Sequence, residues 1–428
     1  MLCLGGLACV ILTTVMLWGS GRTDSREDLS GGTGEIGAAG GRSEAVSGEV
    51  QMPGEGSGAG SEKIQESAGE DGKMMSGEEE PDGGSGREIR LVMVGDILLH
   101  TPVADSGRLP EGGYDFGAVF AQMKEEISSA DLALVNQEVI IGGEELGVSG
   151  YPAFNAPYEL GDALAEAGFD VVLHATNHAL DKGKKGILNC LSYWREKHPS
   201  MAVLGIHDSS AGQEEIYVYE QEGIRIAILN YTYGTNGIAL PEDMPFAVDL
   251  MEKEKMQRDL QKARQEADFV VVCPHWGTEY LLSASQEQKD WAEWFAENGA
   301  DLVLGTHPHV IEPFEWVDGG DRSALVYYSL GNFVNWTSGT GEGVANRMVG
   351  AMVEVTIGLD DENKAVIKSY DAEPVVCHVE QGFGGVSVWP LAQYTPEMAA
   401  RNEIIKQDDG FTYEYCRELA HEILGTFR

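Results

Sequence analysis

Side chains that can bind a metal ion or transfer a proton follow five short apolar segments of this sequence. They are Asp96, Asn136 with Glu138, Asn177 with His178, His275, and His307 with His309. Carboxylate, amide and imidazole groups together suit Mn, Fe or Zn, and the absence of cysteine from the set argues against a structural zinc site. These residue types therefore predict a site for divalent metal ions.

The position of these residues at the ends of apolar segments predicts that they lie together. In an α/β sheet the carboxyl ends of the strands meet in one crevice, where ligands and metals bind. His307 and His309 are two residues apart in a turn, so both imidazoles can face one cluster. Two neighbouring ions need a shared anionic ligand, which Glu138 or Asp96 could supply. Such a pair lowers the pKa of a bridging water and binds a phosphate or carboxyl oxygen.

Each of these residues also has a simpler interpretation when it is taken alone. Asp96 follows a glycine and could cap a helix from a turn, and Asn136 and Asn177 could satisfy the backbone of turns. His275 could be a hydrogen-bonded, half-buried histidine. Their joint occurrence at five strand ends is the observation that favours a metal site over these alternatives.

Several other signatures are absent or have the wrong context. His174 and His178 have the spacing of a zinc-protease helix, but the intervening Ala-Thr-Asn lacks the glutamate and follows a strand. No GxxxxGK[ST] phosphate loop and no GxSxG serine elbow occurs. The six cysteines include no CxxC pair, which indicates neither a zinc knuckle nor a disulfide framework. The remaining histidines are expected to be structural or solvated: His100, His198, His207, His378 and His421.

The elements that must position the candidate site are read from the spacing of apolar residues. Strands are predicted over 89–94, 132–135, 171–173, 202–204, 224–229, 269–273, 302–304, 325–328, 351–357, 365–369 and 373–379. Helices are predicted over 116–127, 159–167, 186–197, 252–267 and 286–298. Strands alternating with helices indicate an α/β core.

The composition divides the chain into segments of different texture. Residues 1–21 carry no charge and are apolar enough for a membrane anchor or an export signal, with a buried core helix as the alternative. Residues 22–88 are rich in Gly, Ser and Glu and are expected to form a disordered linker. An α/β domain is predicted over 89–345, strands that complete it over 346–390, and a polar helical tail over 391–428.

The charge balance excludes one broad class of function. The sequence has 70 Asp and Glu against 29 Lys and Arg, which gives a formal net charge of −41. Nucleic-acid binding relies on a basic surface that releases counterions. We therefore expect no nucleic-acid partner.

Seven short motifs follow one another in order between about residues 90 and 336. They are Gly95-Asp96, Asn136-Gln137-Glu138, Thr176-Asn177-His178-Ala179-Leu180-Asp181-x-Gly183, Tyr231-Thr232-Tyr233-Gly234, His275-Trp276-Gly277-x-Glu279-Tyr280, Gly305-x-His307-Pro308-His309 and Tyr328-Ser329-Leu330-Gly331-Asn332-Phe333. In this order they resemble the CapA family, the poly-gamma-glutamate capsule biosynthesis proteins. The domain of that family looks like a calcineurin-type metallophosphatase.

The resemblance implies a fold and a role for each matching residue. The fold would be a four-layer αββα sandwich, usually anchored at its N-terminus in the membrane and facing outward. Asp96 and His309 would hold one metal ion, Asn177, His275 and His307 the other, and Glu138 would bridge them. His178 would be the general acid that protonates the leaving group. The substrate-binding residues would be Asn136, Glu279, Tyr280 and Asn332.

The sequence departs from the metallophosphatase pattern at two positions. The usual Asp-x-His of the first motif is absent because position 98 is Leu, and Glu138 replaces the usual bridging Asp. These departures imply that one of the two metal ions is held more weakly.

Two hypotheses of different classes follow from the residues and the resemblance. In the first, the chain is a metal-dependent hydrolase that acts on a phosphoester or on an amide of an exported polymer. In the second, it is a non-catalytic subunit that handles an anionic polymer beside a membrane capsule ligase or export complex. Because the domain is acidic, cations would have to bridge it to such a polymer. Either role places the domain outside the cell membrane, anchored or, if the signal is cleaved, secreted.

Overall fold

Continuous apolar segments form the central strands of this protein because both faces of those strands are buried. The computed structural model describes residues 87–426 and contains two mixed sheets. The strands are β1 (Glu88–Ile97), β2 (Leu132–Asn136), β3 (Val171–Leu173), β4 (Ala202–Leu204), β5 (Tyr217–Gln221), β6 (Ile224–Thr232), β7 (Phe269–His275), β8 (Leu302–Leu304), β9 (Phe314–Asp318), β10 (Ser323–Tyr327), β11 (Asn332–Val334), β12 (Val349–Leu359), β13 (Ala365–Val379) and β14 (Val386–Pro390).

Helices and short 3₁₀ segments connect these strands. The helices are α1 (Thr101–Ser106), α2 (Gly117–Phe120), α3 (Lys124–Ser128), α4 (Tyr158–Ala167), α5 (Gly183–Lys197), α6 (Ser210–Glu214), α7 (Lys253–Glu266), α8 (Gln286–Glu297), α9 (Pro396–Ala399) and α10 (Tyr413–Leu424). The 3₁₀ segments are Glu144–Leu146, Val344–Met348, Leu391–Gln393 and Glu403–Lys406.

The first sheet has the strand order β14-β13-β12-β1-β2-β3-β4, and β11 also pairs with β1. Strands β1 to β4 are parallel, whereas β12, β13 and β14 are antiparallel to their neighbours. The second sheet has the order β5-β6-β7-β8-β10-β9, with antiparallel pairs only at its two edges. The parallel strands of each sheet therefore end along one edge, which is where ligands bind in such folds.

The two sheets pack against each other through alternate residues of their central strands. The sulfur atoms of Met93 in β1 and Cys273 in β7 lie 4.0 Å apart across this interface. Ile228 of β6 belongs to the core shared with the first sheet. The adjacent Leu229 belongs to a second core that contains Met256 of α7. The second sheet is thus covered by the first sheet on one face and by α7 and α8 on the other.

Helices α4 and α5 are the crossovers between the parallel strands β2, β3 and β4. Their buried residues, such as Leu164 and Trp194, belong to the core of the first sheet. Parallel neighbours need such crossovers, which pack on a sheet face. The predicted α/β class is confirmed, with two mixed sheets and crossover helices on both.

The structure differs from the predicted elements in several places. The helix predicted over 116–127 is divided into α2 and α3 by a turn, in which the N–H of Met123 donates to the carbonyl of Phe120 at 3.0 Å. The strands predicted over 365–369 and 373–379 form the single strand β13. Strands β5, β9, β11 and β14 were not predicted, because they are short and three of them lie at sheet edges.

The predicted helical tail over 391–428 is a series of short elements in the residues that the structure describes. Thr395 and Thr412 begin α9 and α10, since their hydroxyls accept hydrogen bonds from the N–H groups of Met398 and Tyr415 at 3.2 and 3.0 Å. Ile404 lies between the two helices and is fully buried. The tail therefore packs onto the domain as several short helical elements.

The segment predicted as a membrane anchor, 1–21, and nearly all of the predicted linker, 22–88, lie outside the described residues. Within residues 87–426, no helix is long and apolar enough to cross a bilayer.

Candidate metal centre

Asp96 lies in the last residues of β1, where the pairing register of that strand with β2 and with β11 shifts. The N–H of Asp96 donates to the carbonyl of Gly331 at 2.9 Å. A Cβ atom on Gly95 would lie 2.0 Å from that same carbonyl oxygen, so only glycine fits this close approach of two backbones. The Asp96 side chain is fully buried. The Gly-Asp pair therefore delivers a carboxylate to the edge where the two sheets meet.

Asn136 and Glu138 enter the same region from the end of β2. The Nδ2 group of Asn136 donates to Oδ1 of Asp96 at 2.8 Å. The hydroxyl of Thr176 donates to the main-chain carbonyl of Glu138 at 2.7 Å and fixes that residue. Asn136, predicted to bind substrate, is fully buried and holds Asp96 in place.

His275, at the end of β7, and the two histidines after β8 come from the second sheet. His307 and His309 have positive φ angles of 99° and 61°, which are strained conformations for residues with side chains. The N–H of His307 donates to Oδ2 of Asp96 at 3.2 Å, which ties the strained turn to the first sheet. Such strain persists only where the surrounding structure enforces it, as it commonly does at functional sites.

Asn177 and the ring of His275 are in direct contact. Oδ1 of Asn177 lies 2.9 Å from Nε2 of His275, and Nδ1 of His275 lies 3.0 Å from the hydroxyl of Thr306. Both ring nitrogens of His275 are thereby oriented, and Thr306 was not predicted as a site residue.

Glu138 lies at the centre of three imidazoles. Its Oε1 atom lies 3.7 Å from Nε2 of His309, 3.8 Å from Nε2 of His275 and 4.0 Å from Nε2 of His178. Both carboxylate oxygens are buried, and neither has a hydrogen-bond partner within the described part of the chain. The same holds for Nδ1 of His307. Buried polar groups are rarely left without partners, so these atoms are suited to bind a cation.

Three overlapping groups of these side chains have ligand atoms within 4.8 Å of one another. They are Glu138 with His275 and His307, Asp96 with Glu138 and His309, and Glu279 with His307 and His309. Two of the three are fully buried, and Glu138 belongs to both of them. The donor set of carboxylate and imidazole suits a divalent ion such as Mn, Fe or Zn. The residues therefore fit the metal that the sequence predicts.

Burial and the charges of neighbouring side chains strongly shift the pKa values of these residues. Burial raises the pKa of Glu138 well above its usual range, and the neighbouring Asp96 adds to the rise while His309 opposes it. Burial also opposes the charged form of His309, but the adjacent Glu138 and Asp96 outweigh it and raise its pKa to about 9. Burial, followed by the neighbouring imidazoles, holds the pKa values of His275 and His307 well below the usual value. Neutral imidazole is the form that binds metals.

His178 lies at the side of this cluster. Its Nδ1 atom lies 2.7 Å from Oδ2 of Asp181, and its Nε2 atom faces Glu138. Its ring packs edge-on against Phe154 with the ring centres 4.7 Å apart. His178 is therefore oriented by Asp181, with one nitrogen directed toward the metal-ligand residues.

The other residues predicted to bind substrate differ in exposure. Asn332 is buried, and its Oδ1 atom lies 3.1 Å from Nδ1 of His309. Tyr280 is 43% exposed, and Glu279 is also exposed. Glu279 and Tyr280 thus lie at the rim, whereas Asn332 positions His309, a candidate metal ligand, from within.

A cleft of about 360 Å³ opens beside the cluster and is lined in part by His309, Asn332 and Tyr280. His100 lines it as well, although it was expected to be solvated or structural. Burial, followed by the nearby His309 and His178, lowers the pKa of His100 to about 4. Arg347, which no motif identified, also lines this cleft. Neither residue has a sequence signal, because loops after the strands bring them there.

Tyr233 lies on the other side of His307, with the two ring centres 4.7 Å apart. It is 48% exposed and belongs to the Tyr231-Thr232-Tyr233-Gly234 motif. This motif is therefore the feature of the sequence that could have predicted an aromatic side chain at the rim of the candidate metal site.

Comparison with known proteins agrees with the motifs. The profile of the family described as "Bacterial capsule synthesis protein PGA_cap" matches residues 90–337. The chain is 33% identical over 178 residues to the PGA biosynthesis protein CapA of Bacillus subtilis (strain 168), a match that covers 41% of this chain and 45% of that protein. It is 28% identical over 264 residues to the capsule biosynthesis protein CapA of Bacillus anthracis, covering 58% and 61% respectively. The chain thus spans about half to three fifths of the length of these curated relatives.

Among solved structures, the calcineurin-like phosphoesterase YfkN from Bacillus subtilis is similar with a TM-score of 0.39 and 11% identity, over 77% of this chain and 100% of that chain. The family profile, in contrast, covers more than half of the chain and includes every candidate metal-ligand residue. The resemblance to CapA that the motifs indicate is confirmed, and the chain belongs to the bacterial capsule synthesis protein PGA_cap family.

Proposed function

We propose that this protein is a CapA-type protein of poly-gamma-glutamate capsule biosynthesis or export, and that it is a metal-dependent hydrolase. The bond it cleaves is a phosphoester or an amide of an exported polymer. The single observation that carries this proposal is the position of Glu138, whose buried carboxylate has no hydrogen-bond partner among the described residues and faces three imidazoles. A carboxylate so placed has no evident structural purpose without a cation.

Two divalent ions would be held by the residues of the cluster. Asp96 and His309 would hold one, Asn177, His275 and His307 the other, and Glu138 would be shared. The contact of 3.2 Å between Asp96 and His309 and that of 2.9 Å between Asn177 and His275 support this division. When bound, such ions polarise the oxygen of the scissile group and lower the pKa of a water.

His178 is placed to give a proton to the leaving group. Its Nδ1 atom is occupied by Asp181, so its proton for transfer would be carried on Nε2, which faces the cluster. Asp181 is a positioning residue, because it fixes the ring and stabilises the protonated form. The ring of Phe154 limits rotation of the imidazole and shields one of its edges.

The predicted location belongs to the same proposal. The apolar segment 1–21 would anchor the protein in the cell membrane, with the domain outside and the acidic linker between them. The relatives from two Bacillus species are named as capsule or PGA biosynthesis proteins, which supports a polymer substrate and partners in a membrane capsule complex.

The test is the metal content of the full-length chain after expression with Mn, Fe and Zn supplied, measured by elemental analysis. We expect two ions per wild-type chain and their loss in His307→Ala/His309→Ala. The exposed His421→Ala variant, on α10, should keep them. A phosphodiester and a γ-glutamyl peptide are assayed alongside, and His178→Ala should lose turnover while it keeps metal. Metal-free wild type would refute the hydrolase.

One observation favours the second candidate, a non-catalytic subunit that handles the polymer. Leu98 is buried and lines the cleft at the position where metallophosphatases have a histidine, so the site has one polar group fewer. In that role the domain would bind polyglutamate through divalent cations and cleave nothing. Binding that persists in excess chelator would contradict this cation-bridged handling. Binding without turnover, in metal-loaded protein, would favour it over hydrolysis.

A further inference from the structure

The cleft beside the metal centre differs in charge from the chain as a whole. The sequence has 70 acidic and 29 basic residues, yet none of the residues that line this cleft is Asp or Glu. The lining instead includes Arg347, two histidines, and hydroxyl and amide groups such as Thr337 and Asn335. An anionic group would meet less repulsion here than on the acidic surface.

Arg347 is the fixed positive charge of this cleft. Its guanidinium lies over the ring of Tyr280, 3.5 Å from the ring centre, and its Nη1 group donates to the hydroxyl of Thr337 at 2.8 Å. Within residues 87–426 it makes no ion pair, and its Nε donor has no partner. A planar guanidinium without a carboxylate partner is suited to bind a carboxylate or a phosphate.

Asn332 connects Arg347 to the metal-ligand residues. Its Nδ2 group donates to the main-chain carbonyls of Arg347 at 3.0 Å and of His309 at 2.9 Å, and its Oδ1 atom contacts Nδ1 of His309. The ring of Tyr280, on which the guanidinium stacks, lies 5.9 Å from the ring of His309. The arginine is therefore held at a defined position relative to the cluster by two independent contacts.

The geometry points to Arg347 as a specificity-determining residue that binds a second anionic group of the substrate, while the scissile bond lies at the metal centre. This inference rests on the proposed function and adds a substrate class to it, an oligomer that carries a carboxylate or phosphate next to the bond being cleaved. In γ-linked polyglutamate this group is the α-carboxylate of the neighbouring residue. In a phosphoester polymer it is the adjacent phosphate.

The test measures binding by calorimetry to the full-length chain in excess Mn²⁺. The probes are γ-linked triglutamate, its α-amide analogue and phenyl phosphate. Arg347→Gln should weaken binding of triglutamate about tenfold or more and leave the α-amide analogue unchanged, because only the acid has the charge-assisted contact. Arg347→Lys should weaken the binding of triglutamate less than Arg347→Gln does. Arg417→Gln is the matched control, since Arg417 also lies over a tyrosine, Tyr413, but on α10 outside the cleft.

Each outcome decides the inference. The inference would be overturned if Arg347→Gln weakened the binding of the acid and of the amide equally, or weakened the binding of no probe. It would also be overturned if the wild type bound neither triglutamate nor phenyl phosphate. A loss confined to phenyl phosphate would also overturn it, because this probe carries one phosphate and has no second anionic group. If Arg347→Gln does not fold, Tyr280→Ala should weaken the binding of triglutamate and leave that of its α-amide analogue unchanged, because it removes the ring on which the guanidinium lies. Charge-selective binding without metal or turnover would refute the hydrolase and leave the role of Arg347 standing.

Discussion

The Oδ2 atom of Asp181 lies 2.7 Å from Nδ1 of His178 and also accepts a hydrogen bond from the N–H of Phe154 at 2.7 Å. One carboxylate oxygen thus joins the histidine to the residue whose ring packs against it. The imidazole is restrained in its plane, with Nδ1 held by Asp181 and Nε2 directed toward Glu138.

Asp181→Asn should lower kcat about 10- to 100-fold, because it removes the charge that orients and stabilises protonated His178. KM and metal content should stay unchanged, since Asp181 is not in the candidate ligand groups. Steady-state kinetics with elemental analysis measures this. Asp243→Asn is the control, because Asp243 pairs with Lys184 at the surface. Loss of metal together with activity would show that Asp181 has a structural role instead.

Glu138→Gln should abolish most of the stabilisation that Mn²⁺ gives to the folded protein. Saturation at 100 times the dissociation constant stabilises a protein by about 2.7 kcal/mol. Removing the carboxylate shared by two ligand groups should lose most of this gain. The measurement is the Tm of each variant with and without Mn²⁺, and Glu287→Gln, an exposed substitution on α8, should respond as the wild type does. An undiminished Tm rise in Glu138→Gln would place the ion elsewhere.

Glu312 should make the protein less stable as the pH rises. Burial raises the pKa of Glu312 from 4.5 to about 7, and the hydrogen bond from Gln288 opposes this only in part. Because the folded pKa is the higher one, the stabilisation is complete below pH 4.5 and is lost as the pH rises through 7. At pH 8, the free energy of unfolding of Glu312→Gln should exceed that of the wild type by up to about 3 kcal/mol. At pH 5 the difference should be much smaller. Equal differences in unfolding free energy at both pH values would contradict this.

Gly95→Ala should destabilise the fold by about 3 kcal/mol or more, because the added Cβ would lie 2.0 Å from the carbonyl oxygen of Gly331. Neither backbone can move freely, since β1 is paired on both sides. Gly385→Ala is the control, with nothing within 4 Å of its added Cβ, and should change stability by no more than about 0.5 kcal/mol. Chemical denaturation measures both, and similar midpoints for the two variants would disprove the close contact.

The grouping of the candidate metal ligands could be predicted because it follows from a rule of topology. Asp96 and His275 lie at the ends of parallel strands, Glu138 lies two residues beyond the end of another, and such strands end at one edge. The apolar segments and the polar residues near their ends are sufficient to predict this grouping. The short edge strands could not be predicted in the same way. In β9, for example, Glu315 and Trp316 are exposed, so no continuous apolar segment marks the strand.

The lining of the cleft could not be read from the sequence for a different reason. His100 and Arg347 lie 247 positions apart, and neither belongs to a motif of polar residues at a strand end. Arg347 reaches the cleft because the 3₁₀ segment Val344–Met348 is held by Asn332 through a main-chain carbonyl. Any residue type can accept a hydrogen bond through its main-chain carbonyl, so the sequence does not identify Arg347 as the acceptor. The sequence also did not predict that Asn332 links Arg347 to His309, since it was assigned a contact with substrate.

The candidate ligand residues are divided between the two sheets, and under the proposed function this division determines when an ion can be captured. Asp96 and Glu138 belong to one sheet and His275, His307 and His309 to the other. No short peptide of the unfolded chain contains more than the two histidines after β8, so an effective chelating site does not exist before the sheets dock. Metal identity is then set at the moment and place of folding. If the domain folds outside the membrane, the ion pool there, and not the regulated pool of the cytoplasm, selects its metal.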